Sequence, residues 1–281
     1  MSATKSQDVV SIPPPGSDQS DGWKISATSV CGSSHEKLDL PCQDAHFWTV
    51  RSDGILLAAV ADGAGSAKHS DVGAKIASQA AVETLCTERN LASKLHNKSE
   101  TFRPILLKAL KAALKAVKAE AKARTVKNRD LASTLIVVIA TPQLIATAQI
   151  GDGAAVASDQ KDHLIALTTP DSGEYINQTT FLISPKALAT AQLHIWHGSP
   201  SHIAIFSDGL QMLALTMPFG KPHQPFFSPL FRFVSNTETG KTEEQLTSFL
   251  RSPRVRERTD DDLTLMLVAL PDCAHATTSQ I

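Results

Sequence analysis

No Cys-x-x-Cys pair occurs in this chain. Its four cysteines, Cys31, Cys42, Cys86 and Cys273, lie far apart in sequence or without metal-ligand spacing. That argues against a disulfide framework and a zinc site, and predicts reduced thiols. An excess of charge of either sign is also missing. The formal net charge is −1, which gives no whole-molecule attraction to nucleic acid or to an anionic membrane. No apolar stretch approaches the roughly 20 residues that span a bilayer. The polar start, Met1 to Ser20 with its Pro13-Pro14-Pro15-Gly16 run, lacks the apolar centre of a signal peptide. These absences predict a cytoplasmic protein with no membrane and no nucleic-acid partner. Repeats and coiled-coil heptads are missing too.

What is present suits one sizeable core. The chain has 281 residues, 42% hydrophobic and 20% charged, enough for one domain and short for two. Residues 1–20 read as a flexible tail, 21–270 as the folded domain, and 271–281 as a C-terminal tail. Strand patterns cover Trp23 to Val30, His46 to Val50 and Ile55 to Ala61, the last two joined by the Ser52-Asp53-Gly54 turn. Helical spacing follows from Ser70 to Leu95, carried by Val72, Ile76, Ala80, Leu85 and Leu91. A second helix starts near Pro104, with Leu106, Leu110, Leu114, Val117 and Ala121 on its apolar face. Opposite them runs a stripe of Lys108, Lys111, Lys115, Lys118 and Lys122, read as a solvated face. Apolar strand runs then return at Ser133 to Ala140, Leu144 to Ile150, Ala154 to Ala157, His163 to Leu167, Leu193 to Trp196, His202 to Phe206 and Leu263 to Ala269. Residues 216–262 read as irregular, holding Pro218, Pro222, Pro225 and Pro229 and then a helix from Glu243 to Leu250. Strands and helices do not alternate. The pattern predicts an α+β protein, an antiparallel sheet system with helices packed on it.

Asp44, Asp62, Asp208 and Asp261 each stand beside one of these strand runs. A strand that ends in a carboxylate presents that carboxylate at the edge of its sheet. Several such ends together make a dense negative site that calls for a cation. Hard oxygen donors suit Mg²⁺ or Mn²⁺ and not zinc. Asp152, in Ile-Gly-Asp-Gly (150–153), reads as a turn residue and stays outside this set.

Six short blocks carry a resemblance. They are Cys-Gln-Asp-Ala-His (42–46), Val-Ala-Asp-Gly-Ala-Gly (60–65), Asp-Leu-Ala-Ser-Thr (130–134), Ile-Gly-Asp-Gly (150–153), Ser-Asp-Gly-Leu (207–210) and Asp-Asp-Leu-Thr (261–264). In this order they resemble the PP2C-type (PPM family) metal-dependent protein phosphatases, from about Trp23 to Ala269. The resemblance implies a four-layer αββα sandwich of two antiparallel sheets flanked by helix pairs. It implies Asp62 as the bridge between two divalent ions, with the carbonyl of Gly63 as a further ligand. Asp208 and Asp261 would hold the first ion, with Asp262 in place of Asp261 if the register shifts by one. Asp44 would be a further ligand or would hold metal-bound water, and Asp130 would help with a third ion. The implied reaction is hydrolysis of phosphoserine and phosphothreonine by a water activated between the ions, Mn²⁺ or Mg²⁺. The implied setting is a monomer that acts on phosphorylated proteins and opposes a Ser/Thr kinase.

The chain departs from the family pattern at two points. Gln43 stands where many relatives have glutamate, and an amide brings no charge to the second ion. No arginine lies between Trp23 and Asp44 to grip the substrate phosphate. His35 is the candidate substitute, or else a loop histidine with a structural hydrogen bond. These departures motivate an alternative, a catalytically weak or inactive module that binds phosphoproteins. A phosphatase of small phosphomolecules is a third reading. The segment 170–190 and the Pro-rich 216–235 stretch are candidates for a flap or a substrate-selecting surface.

Overall fold

The computed structural model describes residues 22–89, 91, 101–170, 179–237 and 241–270. The expected tails at 1–20 and 271–281 therefore lie outside the described residues.

Two five-stranded antiparallel sheets form the centre. One has β1 (Lys24–Val30), β12 (Leu263–Ala269), β9 (Pro200–Phe206), β6 (Ala154–Asp159) and β7 (Leu164–Ala166), in that order. The other has β2 (Ala45–Val50), β3 (Leu56–Ala61), β4 (Leu135–Thr141), β5 (Leu144–Ile150) and β8 (Gln192–His197). A short ribbon of β10 (Leu215–Thr216) and β11 (Lys221–Pro222) stands apart. The central strands show no polar alternation because both of their faces are covered. In β3, Leu56, Ala58 and Val60 point into the core between the sheets. Leu57, Ala59 and Ala61 point the other way, into a core shared with helices Ser70–Cys86 and Phe102–Ala123. In β12, Met266 and Val268 face the inter-sheet core. Leu263, Leu265 and Leu267 meet helices Gln224–Asn236 and Thr242–Leu250. Helix pair, sheet, sheet and helix pair thus make four layers, as the resemblance implies.

Two helices differ from the sequence reading in three respects. Helix Ser70–Cys86 ends earlier than Leu95, and residues 92–100 lie outside the described set. Its buried face holds the expected Leu85 together with small residues, Ala74, Ala77 and Ala81, whereas Val72 and Ile76 pack against the core only half-buried. The reason is close approach: a Cβ on Gly73 would sit 2.3 Å from the carbonyl oxygen of Leu131. The third difference is the Pro-rich stretch, which is no irregular insert. Gln224–Asn236 is a helix with Pro225 in its first turn, where a missing N–H costs no bond. Pro229 gives up one bond inside it, offset by burial of Phe227, Leu230, Phe231 and Val234. Of the other flap candidate, residues 171–178 lie outside the described set.

The register brings the functional ends together. Ala45 opposes Ala61, Leu135 opposes Ile150, and Phe206 opposes both Ala154 and Leu265. The starts of β2, β4, β6 and β12 and the ends of β3, β5 and β9 therefore share one edge of the sandwich.

Candidate metal centre

Asp62 follows β3 directly, and its backbone is held on both sides. Its N–H donates to Thr134 Oγ1 at 2.9 Å, and its carbonyl accepts the Thr134 N–H at 2.8 Å. The Gly63 N–H donates to the Gln43 carbonyl at 3.1 Å. The chain is so tightly enclosed here that a Cβ on Gly63 would lie 2.7 Å from both the Gln43 carbonyl oxygen and Ser70 Cβ. Glycine after this aspartate is thus a packing requirement.

Asp208 opens a short turn after β9, Asp208–Leu210. The preceding Ser207 is the joint of this edge. Its hydroxyl donates to Asp44 Oδ2 at 2.6 Å, and its oxygen accepts the Thr264 N–H at 2.9 Å. One side chain thereby ties β9, β12 and the segment that leads into β2.

Asp152 lies in the turn that carries the chain from β5 of one sheet to β6 of the other. Gly151 has φ +110°, and a Cβ there would meet the Thr134 side chain at 2.5 Å. The Asp152 carboxylate accepts the Thr179 hydroxyl at 2.6 Å, and its carbonyl accepts Gln211 Nε2 at 2.6 Å. Carboxylate oxygens of Asp62, Asp152 and Asp208 all lie within 4.8 Å of one another. The sequence reading left Asp152 out as a turn residue. It closes the turn and also supplies a third carboxylate. The available signal was that Asp152, like Asp62 and Asp208, stands before a glycine at the end of an apolar run.

The two consecutive aspartates before β12 have separate jobs. Asp262 is 2% exposed. It accepts the Gly32 N–H at 2.6 Å, the Gln43 N–H at 2.5 Å and His35 Nδ1 at 2.9 Å. It clamps the 32–43 loop. Asp261 accepts the Asp262 N–H at 2.8 Å, and its charge acts on Asp62 and Asp208.

Crowding of carboxylates at a partly dry edge raises their proton affinity. Burial is the first cause at each. It holds Asp62 well above the ordinary carboxylate range, with the charges of Asp44 and Asp208 adding to it. Asp208 is pushed up to about 6 by burial, offset in part by a hydrogen bond from Asp62, while the charges of Asp152 and Asp261 add to the rise. Asp44 is pushed up to about 7, again by burial, with the Ser207 hydroxyl opposing. Asp261 is raised in the same way. Three oxygens here, Asp44 Oδ1, Asp208 Oδ1 and Gln43 Oε1, are buried without a hydrogen-bond partner among the described residues. All-oxygen donors, mutual repulsion and buried acceptors without donors fit a hard divalent cation.

Asp130 and His35 each make a contact of their own. The Asp130 carboxylate accepts the Lys127 N–H at 3.0 Å at the start of a short turn and is not in the group of three. His35 is fastened to Asp262 through Nδ1, with its side chain 13% exposed. Its partner Asp262 is next to Asp261 in the chain, which keeps His35 near the cluster. The hydrogen bonds of Ser207, Thr134 and Thr264 were not foreseen. Ser207 and Thr264 carry no chemistry alone, and their roles depend on strands distant in sequence.

Comparison with known proteins agrees with this geometry. A sequence model described as "Protein phosphatase 2C" matches residues 31–251. A curated relative, Serine/threonine-protein phosphatase 3 of Escherichia coli (strain K12), is 35% identical over 253 residues, covering 87% of this chain and 97% of the relative. Among solved structures, the serine/threonine phosphatase Stp1 from Staphylococcus aureus superposes with a TM-score of 0.62 at 14% identity, over 89% of this chain and 95% of that one. The catalytic domain of the serine threonine protein phosphatase PstP, solved in complex with 2 manganese ions, gives a TM-score of 0.57 at 15% identity, over 89% and 99%. At such identity these two structures speak for the fold.

Proposed function

The chain belongs to the protein phosphatase 2C family, and from that premise we propose that it is a metal-dependent phosphatase of phosphoserine and phosphothreonine in proteins. The carrying observation is the group of carboxylates of Asp62, Asp152 and Asp208 within 4.8 Å of one another. Asp62, Asp208 and Asp261, with the carbonyl of Gly63, would hold one divalent ion. Asp62 and Asp44 would face a second, and Asp152 adds a donor to the same group. When bound, Mn²⁺ or Mg²⁺ supplies an activated water and neutralises charge on the phosphoryl oxygens.

The chain's own residues do the rest. Ser207 and Thr264 hold Asp44 in place from the opposite sheet. Thr134 and Gln43 fix the backbone of Asp62 and Gly63, so the ligands are positioned before any ion arrives. Asp262 holds His35 by Nδ1, which leaves Nε2 as the nitrogen that can meet a phosphate oxygen. We place His35 there in the absence of an arginine before Asp44. Asp130 has less support as a ligand of a third ion, since its carboxylate is engaged by Lys127.

We place the protein in the cytoplasm as a monomer, opposing a Ser/Thr kinase, with residues 21–270 as the catalytic unit. Cys31, Cys42 and Cys86 are free thiols, which supports a reducing compartment. Among the described residues no helix is long and apolar enough to cross a membrane.

The test is hydrolysis of p-nitrophenyl phosphate and of a phosphothreonine peptide with Mn²⁺. Asp62→Asn should lower both rates by at least about a hundredfold, the scale seen when support of a metal site is lost. Full activity in Asp62→Asn would refute the assignment.

A further inference from the structure

Away from the carboxylates, on the outer helix layer over β12 and β9, the structure holds an apolar groove of about 690 Å³. Leu230, Leu246 and Val255 line it with little exposure, and Phe226, Phe233 and Phe249 line it while half-buried. Met212, 72% exposed, stands at its edge. Its charged lining is of one sign: Arg254 and Arg258, both exposed, with no carboxylate among the lining residues. Neither guanidinium forms an ion pair among the described residues, whereas Arg256 between them is paired with Glu36 at 2.6 Å. A groove of this size that is apolar inside and positive at the rim suits large apolar side chains flanked by carboxylates.

The groove is tied to the candidate metal centre at two points. Met212 is four residues beyond Asp208, and Arg258 is three residues before Asp261. At 3.8 Å per residue, the Cα separations cannot exceed about 15 Å and about 11 Å. A peptide with its phosphorylated residue at the carboxylates reaches the groove within about five residues of extended chain.

We propose that this groove docks the substrate: a segment of the phosphoprotein near the phosphorylated residue, bearing Phe or Leu side chains interspersed with Asp or Glu. This rests on the phosphatase reading above. It adds a source of selectivity outside the reacting centre. The single-signed rim distinguishes this partner from a basic or neutral one.

The experiment separates the two claims. Fluorescence anisotropy is measured with an unphosphorylated peptide containing Phe-Glu-Glu-Leu-Glu and with the same peptide carrying Lys for each Glu. Phosphothreonine versions, with the segment five residues before or after the phosphothreonine, are used for kcat/KM. Wild type should bind the Glu peptide about tenfold or more tightly than the Lys peptide, as expected for two exposed charges acting together. The double variant Arg254→Glu/Arg258→Glu should reverse that order and lower kcat/KM on the Glu phosphopeptide about tenfold. Its rate on p-nitrophenyl phosphate should stay at the wild-type value. Met212→Ser should weaken peptide binding without touching the small substrate. Equal anisotropy for both peptides, or peptide kinetics unchanged by the double variant, overturns the docking proposal. So does a wild-type dimer in sedimentation that the double variant dissociates, because the groove is then a self-association face. A wild type inert toward p-nitrophenyl phosphate with Mn²⁺ refutes the phosphatase reading instead, and the docking proposal with it.

Discussion

Asp261 and Asp262 are neighbours in sequence, yet replacement by asparagine should cost stability at Asp262 and none at Asp261. Asp262 is 2% exposed and accepts hydrogen bonds from Gly32 N–H, Gln43 N–H and His35 Nδ1 at 2.6, 2.5 and 2.9 Å. Asparagine keeps the shape but accepts on one oxygen only. Its amide nitrogen must face at least one N–H, so one hydrogen bond is lost and a buried donor is stranded. Bonds to a charged acceptor contribute about 1.5–3 kcal/mol each, and a stranded donor costs about 1–3 kcal/mol. About 3 kcal/mol is a reasonable lower figure. For a domain of this size each kcal/mol moves Tm by roughly 2–4 °C, so Asp262→Asn should melt about 6–12 °C below wild type. Asp261 is a member of a repelling group with its own affinity for protons raised by burial. Without metal, Asp261→Asn should leave Tm unchanged or raise it. Circular dichroism melts in EDTA decide the matter. A Tm for Asp262→Asn within 2 °C of wild type, or a larger fall for Asp261→Asn, would refute the division of labour drawn between them.

Three further outcomes are expected. The raised values of Asp208, about 6, and Asp44, about 7, mean that the metal-free fold binds protons more tightly than the unfolded chain. Their stabilising contribution is complete below the ordinary carboxylate value of 3.8 and is lost as pH rises through about 6 to 7. Mn²⁺ must displace those protons, so the gain in Tm on adding Mn²⁺ should be larger at pH 8 than at pH 5.5, and calorimetry in two buffers should detect proton release. Ser207→Ala removes the hydroxyl that opposes the rise at Asp44 and strands the Thr264 N–H; the pH midpoint of Mn²⁺-dependent activity should move up, with stability reduced by about 1–3 kcal/mol. Gly63→Ala forces a Cβ to 2.7 Å from the Gln43 carbonyl oxygen; Mn²⁺ binding by calorimetry should be lost, and retention of wild-type affinity would count against the tight enclosure of this turn.

The layered fold was legible because its strands are buried on two faces. The runs Leu56–Ala61 and Leu135–Thr141 have no polar alternation, and only a strand covered on both sides needs that composition. The helix over β12 and β9 was not legible. Pro225 and Pro229 weaken the helical pattern, and the burial of Phe227 and Phe231 that stabilises it depends on a sheet assembled from distant segments. The face of Ser70–Cys86 departs in part from its periodicity for a related reason. Periodicity ranks the larger Val72 and Ile76 first, while close approach to the backbone at Leu131 favours Gly73, Ala74 and Ala77.

At the candidate metal centre the sequence could show aspartates at strand ends and little of how they divide the work. An aspartate before glycine reads as a turn, and Asp152 is one. Turn and ligand are not exclusive, because the same backbone that turns at Gly151 crosses from one sheet to the other at the edge where Asp62 and Asp208 end their strands. Asp262 shows the converse. Its type and position suit a ligand, but three donors from the 32–43 loop occupy its oxygens. What separates the two cases is the supply of N–H and O–H donors. Where donors converge, a buried carboxylate is satisfied and fastens the chain. Asp44 and Asp208 each keep a buried oxygen with no donor among the described residues, and the sandwich supports that cost through burial elsewhere. Such an edge suits a cation, so holding the fold together and binding metal are coupled through the same few oxygens.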